Sequence, residues 1–192
     1  MSQRYLIALG SNLRHMRHGS PRAVLAAAQL ALAQAGLEIE SASPVLLSAP
    51  VGPSRRQYAN GALVVRTKMP PTELLALLKG LERQFGRRAG GVRWRARVLD
   101  LDIILWSGGT CTTHALTIPH PLYTQRDFVL RPAAQIAPDW RDPRSGLTLR
   151  HLCRRAQTHR LTRPLAGPRG QRVRRRMRGP LAQSVEQLTF NQ

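Results

Sequence analysis

The sequence predicts an α+β protein in which helices pack on a mostly antiparallel sheet, and three observations support this class. The chain has 192 residues, of which 42% are apolar, which is enough for the core of one domain. Two segments show the apolar periodicity of helices, and the short apolar runs around them have the length of strands. Their order is β-α-β-β-α-β, which is typical of a ferredoxin-like sandwich with the helices on one face of the sheet.

Both main helices carry boundary signals. In residues 20–36, Ser20 can cap the first turn, Pro21 suits the first helical position, and Gly36 suits the position after the last turn. Residues 71–86 form a second amphipathic segment that also ends at a glycine. Shorter helices are expected within residues 129–138 and 147–156.

The strands are predicted from short apolar runs, at residues 4–10, 37–50, 58–67 and 97–106. The second of these runs meets prolines and is expected to pass from a strand into a loop. A segment interrupted by prolines follows at 116–128.

The net charge of +20 is unevenly distributed. From Arg150 onward the chain holds 11 arginines and one acid, Glu186, so half of the excess lies there. Residues 158–192 contain few large apolar side chains and cannot bury enough surface to offset the entropy of ordering. We therefore expect a folded domain over 1–157 and a basic, disordered extension over 158–192. The extension is either a solvated tail or an arm that binds nucleic acid.

The sequence indicates a cytoplasmic protein that does not enter a membrane. It has no apolar run of about 18 residues or more, and its first 13 residues lack the basic, apolar and small-residue order of a signal peptide. The two cysteines, Cys111 and Cys153, have no metal-binding spacing and are expected to be reduced thiols.

Two aspartates interrupt the apolar run at 97–106. Alternate side chains of a strand share a face, so Asp100 and Asp102 lie on one face and the apolar residues between and around them on the other. The two positions are about 6.5–7 Å apart along a strand, which allows carboxylates to hold Mg²⁺ together with water and phosphate ligands. The alternative is a pair of surface carboxylates that form salt bridges with nearby arginines.

A basic loop precedes this strand. It contains Trp94 and five arginines, Arg87, Arg88, Arg93, Arg95 and Arg97. Arginine matches phosphate oxygens with two parallel hydrogen bonds, and tryptophan can stack on a heterocycle. The chain has no P-loop and no dinucleotide-binding glycine motif, so phosphate would be held by arginine and metal. His120 and Arg126 are further candidates, although a lone histidine is more often structural.

Several motifs follow the order and spacing of a known family. They are "IALGSNL" (7–13), "SAPVGPSRRQYANGALVV" (48–65), "LERQFGRR" (81–88), "RWRARVLDLDIIL" (93–105) and "LTIPHPLYTQRDFVLRPAAQIAP" (116–138). Over about residues 4–150, the sequence resembles the 6-hydroxymethyl-7,8-dihydropterin pyrophosphokinases of folate biosynthesis. The resemblance implies transfer of the β,γ-pyrophosphoryl group of ATP to the hydroxymethyl group of the pterin, with release of AMP. We also expect a monomer.

The resemblance assigns roles residue by residue. It implies that Asp100 and Asp102 hold two Mg²⁺ ions with ATP and that they form the catalytic set with Arg93 and Arg97. The implied ATP contacts are Lys79, Arg93, Trp94, Arg97, Ile103, Thr117, His120 and Arg126. The implied pterin contacts are Ser48, Val51, Tyr58, Asn60, Trp94 and Phe128, with the Tyr58 and Phe128 rings on either side of the pterin. Glu82 matches a helix acid that we interpret as a support for the basic loop.

Three positions depart from the family pattern. Arg95 stands where a small residue is usual, and Ala89 and Ala115 stand where some members have a basic residue. Two alternatives therefore stay open: a nucleic-acid-binding module that uses the basic loop and tail, and a relative that binds ATP without catalysis. Aromatic residues are only 5% of the chain, which favours a single pterin pocket over a nucleic-acid surface.

Overall fold

The computed structural model describes residues 1–48, 57–86 and 98–162, with side chains up to residue 158. The strands are β1 (Gln3–Ser11), β2 (Glu38–Ala42), β3 (Leu46–Ser48), β4 (Tyr58–Thr67), β5 (Asp100–Trp106), β6 (Cys111–Thr112) and β7 (Thr117–Ile118). The helices are α1 (Pro21–Gln34), α2 (Pro71–Gln84), α3 (Asp127–Ile136) and α4 (Leu149–Thr162), with one 3₁₀ turn at Tyr123–Gln125.

The main sheet has the strand order β2-β4-β1-β5, and β3 also pairs with β4. All of these pairings are antiparallel, so β1 and β4 are central strands and β5 lies at one edge. The α+β class and the antiparallel sheet predicted from the sequence are confirmed. A separate two-stranded pair joins β6 to β7.

The local signals of the first helix act as predicted. The Ser20 hydroxyl accepts a hydrogen bond from the Ala23 amide at 3.4 Å, and Pro21 is the first helical residue. Gly36 follows the helix with a φ of +88°, a conformation that costs glycine little because it has no Cβ. These residues fix both ends of α1 on the sheet.

Helices cover both faces of the sheet, whereas the sequence predicted them on one face. Helices α1 and α2 pack on the face that carries Tyr5 and Ile7, and α3 and α4 pack on the face that carries Leu6 and Val64. The physical reason lies in β1, where three consecutive residues are completely buried. A strand that is apolar on both faces needs a layer on each side.

The sheet register brings small and polar residues together at one end of the α3/α4 face. Gly10 of β1 pairs with Asn60 of β4 on one side and with Asp100 of β5 on the other. One row further along, Ala8 pairs with Ala62 and with Asp102 in the same way. The large apolar residues of this face, Leu6 and Val64, begin in the next row, while at the end of the face Gly10 and Asp100 are partly exposed and Asn60 is buried.

No helix in the described part of the chain is long and apolar enough to span a membrane. Cys111 and Cys153 are both free thiols, as predicted. The chain divides into units at Met1–Thr162 and Arg163–Gln192, and the second unit lies outside the described residues. The boundary predicted at residue 157 therefore falls inside α4, and disorder of the extension stays a prediction.

Candidate active site

The two aspartates of β5 have the alternating arrangement expected of the strand. Asp100 and Asp102 are partly exposed on the α3/α4 face, while Leu99, Leu101 and Ile103 are between 0 and 3% exposed on the other face. Because the carboxylates share a face beside solvent, they can act together on a ligand. The geometric part of the prediction is confirmed.

Helix α2 holds the edge strand between these two aspartates. The carboxylate of Glu82, which is completely buried, accepts a hydrogen bond from the Leu101 amide at 2.8 Å. The Lys79 ammonium donates to the Leu101 carbonyl at 3.0 Å and pairs with Glu82 at 2.7 Å. Its Nζ also lies 3.8 Å from Oδ1 of Asp102. Two side chains one helical turn apart thus satisfy both backbone groups of Leu101 and fix the peptide that separates the aspartates.

A cavity of about 300 Å³ lies beside β5. Four residues predicted to contact ATP line it together with Asp102, namely Lys79, Ile103, Thr117 and His120. Leu75, His114 and Leu116 also line the cavity and were not identified from the sequence. Five of the ten described residues that line it are polar or charged, so the cavity offers several groups for hydrogen bonds to a polar ligand.

The environment of His120 favours its neutral form. Burial lowers the pKa of His120 below its ordinary value; the Asp102 carboxylate opposes this effect and Arg126 adds to it. Nδ1 of His120 accepts a hydrogen bond from the Leu122 amide at 3.3 Å. In the neutral ring the proton therefore lies on Nε2, which can donate to a phosphate oxygen.

Two residues predicted for the pterin side are directly connected. The Asn60 side-chain amide, which is 4% exposed, donates from Nδ2 to the Ser48 hydroxyl at 2.8 Å. This bond leaves Oδ1 of Asn60 on the side of Gly10, so the amide is held in one orientation. A fixed amide presents one acceptor and one remaining N–H donor, which is what the amide-like edge of a heterocycle requires.

The two aromatic candidates lie on neighbouring elements. Tyr58 opens β4, two residues before Asn60, and is half-buried. Phe128 is the second residue of α3, which packs on β4, and it too is half-buried. The Arg126 guanidinium lies 6.0 Å from the centre of the Phe128 ring. A cation at this distance from the face of an aromatic ring stabilises both side chains.

Four predicted site residues, Val51, Arg93, Trp94 and Arg97, lie outside the described residues, as does the rest of the basic loop. The described residues hold no group of three or more His, Cys, Asp and Glu side chains that could bind a metal. Two carboxylates alone suit Mg²⁺, which keeps several waters and takes oxygen from substrate phosphates. They do not suit a structural zinc site, which needs four protein ligands.

A larger cavity, of about 410 Å³, lies elsewhere, between α1 and the end of α2. It is lined by residues such as His18, Leu30 and Phe85 and contains none of the predicted site residues. Four residues predicted to contact ATP lie instead at the smaller cavity at β5.

The fold and this cavity define an α+β protein that carries an acidic pair on an edge strand beside a partly open cavity. Comparison with known proteins gives the family. Residues 6–138 match the model of the 7,8-dihydro-6-hydroxymethylpterin-pyrophosphokinase (HPPK) family. The chain belongs to this family, as its sequence motifs predicted.

Relatives from two bacteria match most of the chain. A protein of Synechocystis sp. is 41% identical over 147 residues, which are 77% of this chain and 73% of that protein. One of Pseudomonas aeruginosa is 36% identical over 144 residues, which are 74% of this chain and 86% of that protein. Both are named 2-amino-4-hydroxy-6-hydroxymethyldihydropteridine pyrophosphokinase.

The fold is also shared with a solved structure of more distant sequence. The wild-type HPPK-DHPS of Plasmodium falciparum superposes with a TM-score of 0.66 at 14% identity. The match covers 83% of this chain and 45% of that chain, so this chain spans less than half of it. This similarity confirms the fold class.

Proposed function

We propose that the chain transfers pyrophosphate from ATP to 6-hydroxymethyl-7,8-dihydropterin, giving AMP and the pterin diphosphate of tetrahydrofolate biosynthesis. Membership of the HPPK family supports the reaction. The observation that carries the proposal is the row Asn60–Gly10–Asp100, in which the side-chain amide proposed to contact the pterin and the carboxylate proposed to bind Mg²⁺ share one face of the sheet. A two-substrate transfer needs its two subsites side by side.

The reaction forms one P–O bond and breaks one P–O bond and one O–H bond. The hydroxymethyl oxygen attacks the β-phosphorus of ATP, and the bond from that phosphorus to the oxygen shared with the α-phosphate breaks. AMP leaves with that oxygen, and the hydroxyl proton is released. Mg²⁺ ions held by Asp100 and Asp102 would draw charge from the phosphate oxygens and orient the triphosphate.

The cavity at β5 supports a site for the nucleotide. Ile103 and Thr117 would contact the base and sugar, and the Nε2–H of His120 would donate to a phosphate. Lys79 contributes to the cavity wall, but its ammonium is already bonded to Glu82 and to the Leu101 carbonyl. We therefore propose that Lys79 both contacts the nucleotide and attaches β5 to α2.

The arginines would bind the transferred phosphates. Arg126 is close to the cavity, because it interacts electrostatically with His120, which lines the cavity. The roles of Arg93, Trp94 and Arg97 rest on the sequence resemblance. Guanidinium groups supply paired hydrogen bonds to phosphate oxygens and stabilise charge that spreads during phosphoryl transfer.

The pterin would bind at the end of the α3/α4 face. Asn60, held by Ser48, would read its amide-like edge, and the rings of Tyr58 and Phe128 would cover its faces. The loop around Val51 would add backbone contacts. The cytoplasmic location and the monomeric state stay predictions from the sequence.

Product analysis tests the proposal. Purified protein is incubated with ATP, Mg²⁺ and 6-hydroxymethyl-7,8-dihydropterin, and AMP is separated from ADP by chromatography. Formation of AMP that depends on the pterin supports pyrophosphoryl transfer. Formation of ADP instead would indicate transfer of a single phosphoryl group, and neither product from a folded, ATP-binding protein would favour the relative without catalysis.

A further inference from the structure

Gly10 occupies the centre of the row that joins the two proposed subsites. Its backbone pairs with Asn60 on one side and with Asp100 on the other. Neighbouring strands are about 4.8 Å apart, so the two flanking Cα atoms are separated by about 10 Å. Gly10 is partly exposed, whereas Leu9, whose side chain points to the opposite face, is 2% exposed. The surface above Gly10 is therefore accessible, and it forms the floor between the Asn60 amide and the Asp100 carboxylate.

Neither backbone conformation nor packing explains a glycine here. The φ of Gly10 does not lie in the positive region that favours glycine. A Cβ built at this position would lie 3.7 Å from Oδ1 of Asn60 and 3.9 Å from Cβ of Asp100, which are ordinary contact distances. Because the described surroundings can accept a methyl group, the space above Gly10 is left for something outside the fold.

We propose that Gly10 is a specificity-determining residue, whose missing side chain leaves room for the hydroxymethyl group of the pterin to approach the β-phosphate. This inference rests on the proposed function and identifies the place where the substrates meet. A methyl group at position 10 projects from the floor at the level of both Asn60 and Asp100. It therefore hinders simultaneous binding of the pterin and the nucleotide more than it hinders binding of either one alone.

The test is Gly10→Ala, with Gly61→Ala as a matched control. Gly61 is the next residue of β4 after Asn60, and a Cβ there would lie 3.6 Å from the Ser43 hydroxyl oxygen and 3.9 Å from Leu25. The two variants thus add the same group in equally close surroundings. The methyl at position 61 points to the α1 face of the sheet, and the one at position 10 points to the site.

Calorimetry would measure the binding of two ligands, 6-hydroxymethyl-7,8-dihydropterin and 7,8-dihydropterin. Each would be titrated alone and again in the presence of magnesium and α,β-methylene-ATP, an analogue that cannot be cleaved at the reacting bond. In Gly10→Ala we expect 6-hydroxymethyl-7,8-dihydropterin to bind about 10- to 100-fold more weakly when the nucleotide analogue is present, since overpacking a filled site has this size of effect. Binding of 7,8-dihydropterin, which lacks the hydroxymethyl group, should stay within about threefold of wild type under the same conditions. Gly61→Ala should behave as wild type with both pterins.

Equal weakening of both pterins, or no weakening of either, would overturn the inference. A wild-type arm keeps the test decisive if Gly10→Ala does not fold. The wild-type protein should bind the pterin with one extra methyl on the carbinol carbon much more weakly than the natural substrate when the nucleotide analogue is present, because the hydroxymethyl group already fills the space above Gly10, and equal binding of the two would contradict the proposal. Failure of the proposed function is recognised separately, as absence of AMP formation by the wild-type protein.

Discussion

Replacing Glu82 by leucine tests how β5 is attached to α2. The substitution removes the acceptor of the Leu101 amide and the partner of the Lys79 ammonium, and it does so at a completely buried position. A hydrogen bond to a charged group contributes about 1.5–3 kcal/mol, and removal of one partner of a buried ion pair costs about 3–5 kcal/mol. The Lys79 side chain is 31% exposed, so water screens part of the lost interaction. We therefore expect a loss of about 2–4 kcal/mol in the free energy of unfolding.

A double-mutant cycle separates the pair from its surroundings. Glu82→Leu removes the carboxylate partner of the Lys79 ammonium, which keeps its contacts with the Leu101 carbonyl and Asp102, whereas Glu82→Leu combined with Lys79→Met removes both charges. The double variant should recover only part of the stability, because it leaves the amide and the carbonyl of Leu101 without their side-chain partners. Glu73→Gln is the control, since Glu73 is exposed on the first turn of the same helix.

Urea unfolding gives the free energies, and amide hydrogen exchange at Leu101 gives the local effect. The Leu101 amide should exchange much faster in Glu82→Leu than in wild type, while amides of β4 keep their protection. A change below about 1 kcal/mol, or unaltered exchange at Leu101, would refute the attachment argument. Equal losses in the single and double variants would show that the ion pair is not the relevant interaction.

Three further outcomes are expected. Asp102→Asn should lower turnover by several orders of magnitude and weaken Mg²⁺ binding in calorimetry with the uncleavable ATP analogue, whereas Asp139→Asn, at a carboxylate 78% exposed, should change neither. Ending the chain after Thr162 should preserve AMP formation and abolish most binding to single-stranded nucleic acid, and loss of turnover in the folded product would contradict the assignment of the tail. Burial, with a smaller effect of Cys111, raises the pKa of Tyr5 from 10.0 to about 12. The stability from neutral Tyr5 is complete below pH 10 and is lost as pH rises to about 12, by up to about 3 kcal/mol. Tyr5→Phe should reduce this alkaline loss in unfolding curves recorded between these pH values, and an unchanged loss would contradict the burial effect.

Local chemistry made the first half of the fold predictable. Ser20, Pro21 and Gly36 act within one helix, and the predicted bounds of β4 agree with the structure. The alternation around Asp100 also follows from strand geometry alone. Such features depend on residues close in sequence, where the physical rules are strongest.

Short helices near α3 and α4 were predicted from the sequence, but their position on the second face of the sheet was not. The position of a helix on one face or the other depends on the connections of the chain and not on the residues within the helix. The stronger indication was in β1, where Leu6 lies between two residues that face the other layer and is itself completely buried. A strand with no polar face predicts a covering layer on each side of the sheet.

The contacts that organise the site join residues far apart in sequence. Glu82 was expected to support the basic loop, which lies outside the described residues; within the described part of the chain its carboxylate accepts a hydrogen bond from the Leu101 amide, 19 residues away. Gly10 was noted only within a motif, since its position between Asn60 and Asp100 depends on the register of three strands. Sequence spacing predicts which residues share a face, and only the pairing of strands predicts which of them meet.

The location of the acidic pair on an edge strand explains why the site needs helix α2. An edge strand leaves one side without a neighbour, which gives a ligand room beside Asp102 but also leaves backbone groups unpaired. Glu82 and Lys79 satisfy both groups of Leu101, so the edge is closed at the residue between the carboxylates. The strand can therefore be open to the cavity and still hold its two aspartates at a constant spacing. Loss of either α2 side chain should consequently affect Mg²⁺ affinity as well as stability, because the same two contacts serve both.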